Sequence, residues 1–258
     1  MTISYTLITG ASSGIGLAIA EEFARQKHHL ILVARREGKL KELADKLKKF
    51  GVKVEVITAD LAVNAGAEAL FEKVQKQGLN VDILVNNAGR GNSGEFSEQA
   101  PDHMRGTLEL NMTSLTILSR LFIDQMKING YGRILNVASI AGFMPGPGLA
   151  VYHATKAYVL SLSEALNAEL KGTGVSVTAS CPGPTESEFH TQADTTSLKG
   201  FNMVSFMTAK QVAEEAYVAL KKEQAFIIHG RLNQAFATTP KLMPRRWVPR
   251  IVKTFLAK

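Results

Sequence analysis

Tyr152 and Lys156 stand four positions apart in the stretch VYHATK, and Ser139 closes the run GRILNVAS thirteen positions before the tyrosine. On a helix, residues i and i+4 share a face, so the phenol and the ammonium lie side by side. A free tyrosine has a pKa of about 10, and a fixed ammonium within reach favours the phenolate and lowers that value by about one to three units. The spacing predicts a tyrosine that exchanges a proton with a ligand, assisted by the lysine. Ser139, at the end of a strand, would bring a hydroxyl to the sheet edge where ligands of open α/β sheets bind. The alternative, a chance pair on a helix surface, weakens once a dinucleotide-type turn is found in the same chain.

That turn is TGASSGIG, residues 9–16, after the first apolar run and before an amphipathic helix. Its Gly10, Gly14 and Gly16 are spaced GxxxGxG rather than GxGxxG. The purpose of the glycines is the same: a tight turn, backbone close to a pyrophosphate, and phosphate facing a helix N-terminus. Ser12, Ser13 and Ile15 complete the expected binding turn. In such folds an acid at the end of the second strand binds the ribose 2′-OH of NAD, whereas arginine accommodates a 2′-phosphate. Here that strand ends LVARREGK, so Ala34 offers no carboxylate, and Arg35 and Arg36 can grip a phosphate with parallel bonds. The sequence predicts NADP(H) as cofactor. The alternative is that both arginines are solvated residues of a helix start.

The elements that must position these groups follow from hydrophobic period. Runs at 5–10, 29–34, 52–60, 81–89, 132–139, 175–183 and 225–230 are apolar, β-branched and bounded by turn residues, so each reads as a strand. Between them lie helical patterns such as Ile15, Ile19 and Phe23, then Leu40, Leu43, Leu47 and Phe50, and later Val212, Ala216, Ala219 and Leu220 behind a Thr208 N-cap. Strands apolar on both faces that alternate with helices predict a doubly wound α/β fold: a Rossmann-type parallel sheet of about seven strands in one domain over 1–258. The alternating polarity of VKVEVITAD hints at a sheet edge. Residues 184–207 read as a substrate lid and 231–258 as a C-terminal tail.

Composition bounds the rest. Apolar residues at 45% and charged residues at 21% are ordinary for a soluble domain. The single Cys181 cannot form an intrachain disulfide, no apolar run reaches spanning length, and the N-terminus runs straight into a glycine turn, so a cytoplasmic protein is expected. Net charge is +7, much of it in PRRWVPRIVKTFLAK. That tail reads as a solvated or packing segment, with a membrane-surface contact as the alternative. Nucleic-acid binding is not expected, because no recognition motif accompanies the charge. The six histidines show no metal-ligand spacing and read as surface or helix-end residues, so no metal is expected.

Jointly these residues resemble the classical short-chain dehydrogenase/reductase family. The resemblance rests on TGASSGIG, Asp60 in TADL, NNAG at 86–89, Asn111, Ser139, the YxxxK of Tyr152 and Lys156, and PGPTES at 182–187. It implies that Tyr152 is the acid in carbonyl reduction and the base in alcohol oxidation. It also implies that Lys156 binds the nicotinamide ribose and lowers the Tyr152 pKa, that Ser139 polarises the substrate oxygen, and that Asn111 seats a water linking Lys156 to solvent. Asp60 and Leu61 would border the adenine, and Asn87, Ala88 and Gly89 would pack along the cofactor. Pro182, Gly183 and Thr185 would flank the nicotinamide, with Ser187 where the family often has threonine. Homodimers or homotetramers built on the helices holding Asn111 and Tyr152 are implied as well.

The segments expected around a substrate carry Phe143, Met144, Leu149, Phe189, Phe201, Met203, Phe206 and Met207, which points to an apolar ketone or aldehyde. Two other readings stay open: a catalytically idle NADP(H)-binding sensor or scaffold, and a peripheral membrane lipid-carbonyl reductase.

Overall fold

HLILVA is apolar at every position but its first, and SYTLIT carries Tyr5, Leu7 and Ile8 among small polar residues, so both suit a sheet covered on both faces. The computed structural model describes residues 3–186, 188, 193 and 206–256. In it these runs are β1 (Ser4–Thr9) and β2 (His29–Ala34), parallel neighbours with Thr9 beside Val33. With β3 (Val54–Thr58), β4 (Asn80–Asn86), β5 (Gly132–Val137), β6 (Val175–Cys181) and β7 (Phe226–Ile228) they form one parallel sheet in the order β3-β2-β1-β4-β5-β6-β7. The alternating stretch is β3, and it is an edge strand in which only Ile57 is buried.

Successive residues of β2 feed opposite layers. Leu30 and Leu32 pack with Ile19 and Phe23 of α1 (Gly14–Arg25), Leu40 of α2 (Glu37–Leu47) and Leu220 of α7 (Ala209–Lys221). Ile31 and Val33 pack with Leu70 of α3 (Gly66–Lys76) and with Leu118 and Phe122 of α5 (Ser114–Ile128). Leu166 of α6 (Ala150–Glu169) joins this second layer. Each layer follows from the period of two along a strand meeting the 3.6 period of a helix. Thr208 caps α7 in a capping box with Gln211.

The order of strands reverses between β1 and β4, and the crevice outside their C-terminal ends is the ligand site of such sheets. The strand-like runs at 81–89, 132–139 and 175–183 extend past the last paired residues Asn86, Val137 and Cys181, so their final residues leave the ladder at this edge. α4 (Pro101–Leu108) reaches α5 through a π turn, Glu109–Thr113. The C-terminal tail is folded: α8 (Arg231–Thr238) and α9 (Val248–Leu256) lie over the crevice.

Candidate active site

At the end of β1, Thr9 ties two strands together: its Oγ1 donates to Val85 O at 3.2 Å and accepts from the amides of Asn87 and Ala88, both at 3.0 Å. Asn87 returns the contact by donating from Nδ2 to Thr9 O at 2.9 Å and Gly10 O at 3.3 Å. Gly10 has φ +67° and Gly14 φ +55°, the left-handed region that favours glycine. At Gly16 the constraint is space, since an added Cβ would lie 2.3 Å from Asn87 Nδ2 and 2.3 Å from Gly10 O. The second of these is backbone and cannot swing away. Gly16→Ala is expected to lower stability by roughly 1–3 kcal/mol, the cost of overpacking. The measurement is a lower urea midpoint at unchanged slope.

Beyond Ala34 the two arginines part. Arg35 is exposed, and its charge helps burial to lower the Arg90 pKa, against the carboxylate of Asp60. Arg36 turns onto the glycine turn: Nη2 donates to Ser12 Oγ at 3.0 Å and to Ser13 Oγ at 2.9 Å. Its Nη1 donates to Glu188 Oε2 at 2.9 Å, and Lys39 Nζ donates to Glu188 Oε1 at 2.9 Å. The two cations hold the Glu188 carboxyl down to about 2. A carboxylate therefore rests where the end of β2 meets the turn, and this cluster holds an anion. Glu188 and Lys39 were not marked by spacing, because the ion pair closes 152 residues of chain between Arg36 and Glu188.

Tyr152 and Lys156 lie one turn apart at the start of α6, as i and i+4 require. Lys156 is buried, its Nζ donates to Val137 O at 2.7 Å, and it lies 5.8 Å from the centre of the Tyr152 ring. Ser139 is extended and caps the short turn Ile140–Phe143, accepting from Ala141 N at 3.1 Å and donating to Pro182 O at 3.2 Å. Asn111 sits on the π turn, where its Oδ1 accepts from Arg90 N at 3.0 Å. Its Nδ2 donates to Arg90 O at 2.9 Å and to Thr155 Oγ1 at 3.1 Å. The side chain is thus engaged with Arg90 backbone and Thr155. A Cβ on Gly89 would meet Asn111 Oδ1 at 3.3 Å and Lys156 Nζ at 3.6 Å, so both groups flank one small space.

The electrostatics differ from the sequence expectation. Burial pushes the Tyr152 phenol up to about 12, and a hydrogen bond with Ser139 only partly opposes this. Burial likewise pushes Lys156 down to about 8. In this structure, then, burial rather than the ammonium sets the direction, and the phenol is held in its protonated, proton-donating form. The histidine expectation also needs correction at two positions. His153 is buried with Nδ1 2.8 Å from Met144 O, and His229 is buried with Nε2 2.8 Å from Ser180 Oγ and Nδ1 2.8 Å from Glu215 Oε2. Such partners make burial of an imidazole tolerable, and burial lowers the pKa of both. Among the described residues no group of three or more His, Cys, Asp or Glu could hold a metal ion.

These features meet in one cleft of about 880 Å³. Among the described residues, every one predicted above for cofactor or chemistry borders it except Asn111, whose side chain bonds the backbone of Arg90, a lining residue. Asp60 is fixed there by accepting from Ala62 N at 2.9 Å, and Leu61 O accepts from Ser114 Oγ at 2.6 Å. Of the expected substrate-side residues, Met144 and Leu149 line the cleft, Phe143 packs in the core beside Phe226, and Met207 pairs with Thr185 in an isolated bridge. Ser187, Phe189, Phe201 and Met203 lie outside the described residues. The tail supplies a wall that sequence spacing did not reveal: Phe236, Met243, Val248 and Val252 face the cleft. Asn233 closes on Gly183, whose Cβ would meet Asn233 Nδ2 at 2.4 Å.

A doubly wound sheet, a glycine turn opening α1, and a hydroxyl, a phenol and a lysine at the strand-order reversal define a dinucleotide-type α/β enzyme architecture. Residues 4–198 match the family described as short chain dehydrogenase. The chain is 30% identical over 246 residues to Ketoacyl reductase HetN of Nostoc sp., covering 94% of this chain and 84% of that protein. A solved short-chain dehydrogenase from Sphingobium yanoikuyae in complex with NADPH is 35% identical with a TM-score of 0.81, over 93% of this chain and 95% of that one. The bulky-bulky ketone specific alcohol dehydrogenase of Comamonas testosteroni is 31% identical with a TM-score of 0.77, over 96% and 100%. The chain belongs to the short-chain dehydrogenase family of oxidoreductases.

Proposed function

We propose that this protein is an NADP(H)-dependent reductase of apolar ketones or aldehydes, using Tyr152 as proton donor. The observation that carries the reading is the joint exposure of Tyr152 and Ser139 to the cleft that the glycine turn and Arg36 also border. The residues fit a dinucleotide. Gly10 and Gly14 bring backbone close to the ligand, Ser12, Ser13 and Arg36 gather hydroxyl and guanidinium donors, and the Glu188 carboxylate is a stand-in anion held by Arg36 and Lys39. When bound, the nicotinamide supplies the hydride, the part of the chemistry that no side chain can perform.

The chain's own groups supply orientation and a proton. Ala141 N holds Ser139 Oγ in place, and with substrate bound the Ser139 hydroxyl turns from Pro182 O to donate to the substrate oxygen and polarise it. The Tyr152 hydroxyl, protonated at neutral pH and kept so by burial, which raises it further to about 12, donates its proton to that oxygen. Lys156 would stabilise the phenolate left behind and would help hold the cofactor sugar. Asn111 holds the Arg90 backbone and Thr155, and its Oδ1 flanks Gly89 opposite Lys156. An intact set of Ser139, Tyr152 and Lys156 argues against an idle cofactor sensor.

The substrate side is apolar, with Met144, Leu149, Phe236, Met243 and Val252 on its walls. The ketoacyl reductase and bulky-ketone relatives are consistent with such a pocket. The test is cofactor consumption against a carbonyl panel. Aryl-alkyl and long-chain ketones with NADPH are expected to turn over at least about tenfold faster than sugars, since each buried methylene contributes about 0.8 kcal/mol, and at least about tenfold faster than with NADH, which lacks the 2′-phosphate that Arg36 would hold. Activity confined to sugars, or to NADH, would overturn the reading.

A further inference from the structure

The net charge of this chain sits in one segment. Residues 231–258 hold seven of the 30 basic residues and none of the 23 acidic ones, so residues 1–230 are balanced at 23 of each and the tail accounts for the full +7. Arg231, Arg245, Arg246, Arg250 and Lys253 are exposed. Beside them water reaches large apolar groups: Leu232 is 68% exposed, Phe236 50%, Leu242 88%, Trp247 48% and Ile251 40%.

Isolated exposed apolar residues are ordinary, but a concentration of them among like charges is not. Leu232 and Phe236 are i and i+4 on α8. Trp247 and Ile251 are i and i+4 where α9 begins, with Ile251 N donating to Trp247 O at 3.1 Å. Each pair therefore shares a side of its helix. Phe236 and Ile251 border the cleft and are also half exposed, which puts them on its rim.

We propose that the α8–α9 face docks on an anionic lipid bilayer, with the rim of the cleft turned toward the acyl layer. Tryptophan and aliphatic side chains favour the headgroup boundary, and arginines beside them are drawn to lipid phosphates. Among the described residues no helix is long and apolar enough to cross a membrane, so the contact is interfacial. Charge argues against the other occupants. A second copy docked through the same patch would set arginines against arginines. A nucleic acid would pair the arginines yet leave Leu232 and Leu242 in water. The docking itself does not depend on the reductase reading; only the entry of an apolar carbonyl from the bilayer rests on it.

Trp247 is the only tryptophan, so its emission reports on this face. The full chain is titrated with phosphatidylglycerol-containing vesicles and, separately, with pure phosphatidylcholine vesicles. A blue shift and co-sedimentation are expected with the anionic vesicles, weakened by high salt. The double variant Arg245→Glu/Arg246→Glu is expected to bind them at least about tenfold more weakly, with unchanged turnover of a water-soluble ketone. If that variant unfolds by circular dichroism, Arg250→Glu/Lys253→Glu provides the same test. Absence of a shift and of sedimentation at low salt overturns the proposal, as does an equal shift with duplex oligonucleotide. A shift that grows with protein concentration in the absence of vesicles, together with a dimer lost in the double variant, assigns the face to a second copy instead. Vesicle binding is read without cofactor, so a failed carbonyl panel and a failed docking remain separate results.

Discussion

Replacing Tyr152 by phenylalanine is expected to cut ketone turnover by about a hundred- to ten-thousandfold, the range general acid catalysis supplies, while NADPH binding stays within about threefold. Only one oxygen is removed. The ring keeps its place beside His153, 6.1 Å between centres, and the Ser139 bond that is lost was offset by the cost of burying the phenol. Steady-state kcat and a cofactor-binding titration check both halves, and comparable turnover in the variant would reject Tyr152 as the proton donor. The pH dependence carries a sign of its own. Lys156 falls from 10.5 in the open to about 8 when buried, so the native chain binds fewer protons than the unfolded one between those values, and stability from this group rises with pH there. Tyr152 does the opposite between 10.0 and about 12, where the unfolded phenol ionises first and stability falls. Lys156→Met should flatten the first slope in urea titrations at pH 8 to 10, using the endpoints set by this lysine.

Arg36→Asp should reverse cofactor choice. The wild-type guanidinium spans both turn hydroxyls and the Glu188 carboxylate, so it can hold a phosphate from a fixed position. A lost charge-assisted hydrogen bond costs about 1.5–3 kcal/mol, and an aspartate beside a phosphate adds repulsion. The expected result is a rise of about a hundredfold or more in the NADPH KM, with NADH unchanged or improved. Glu188→Gln should act in the opposite direction, since its carboxylate competes for Arg36 and Lys39. NADPH affinity should rise by about three- to tenfold and NADH affinity should not move, in keeping with an exposed ion pair of modest worth. An unchanged NADPH to NADH ratio in Arg36→Asp would assign the phosphate elsewhere. Weaker NADPH binding in Glu188→Gln would make Glu188 a supporting residue rather than a competitor.

Much of this protein is set by local pattern. Apolar runs such as HLILVA can be stable only inside a covered sheet, and the alternation of VKVEVIT suits an edge, so strand number, the place of β3 and the glycine turn are legible in order along the chain. The pairing of Tyr152 with Lys156 is legible too, because helical period alone puts i and i+4 on one face. What local pattern overstated is where strands stop. Residues 87–89, 138–139 and 182–183 have strand composition, but they lie beyond the paired ladder at the sheet edge that forms the cleft.

Three features depended on the tertiary structure, each because it joins parts of the chain that no period relates. Glu188 meets Arg36 across the mouth of the cleft, and Asn111 engages the Arg90 backbone. The tail from Arg231 to Leu256 folds back as a wall whose one side lines the cleft and whose other side faces water with Arg231, Arg245, Arg246, Arg250 and Lys253. Burial decided the last point: the same phenol and ammonium that sequence spacing reads as a mutually stabilising pair are both pushed toward their neutral forms once they are enclosed. Spacing determines which groups can meet, whereas desolvation, a property of the packed whole, determines the proton each one carries.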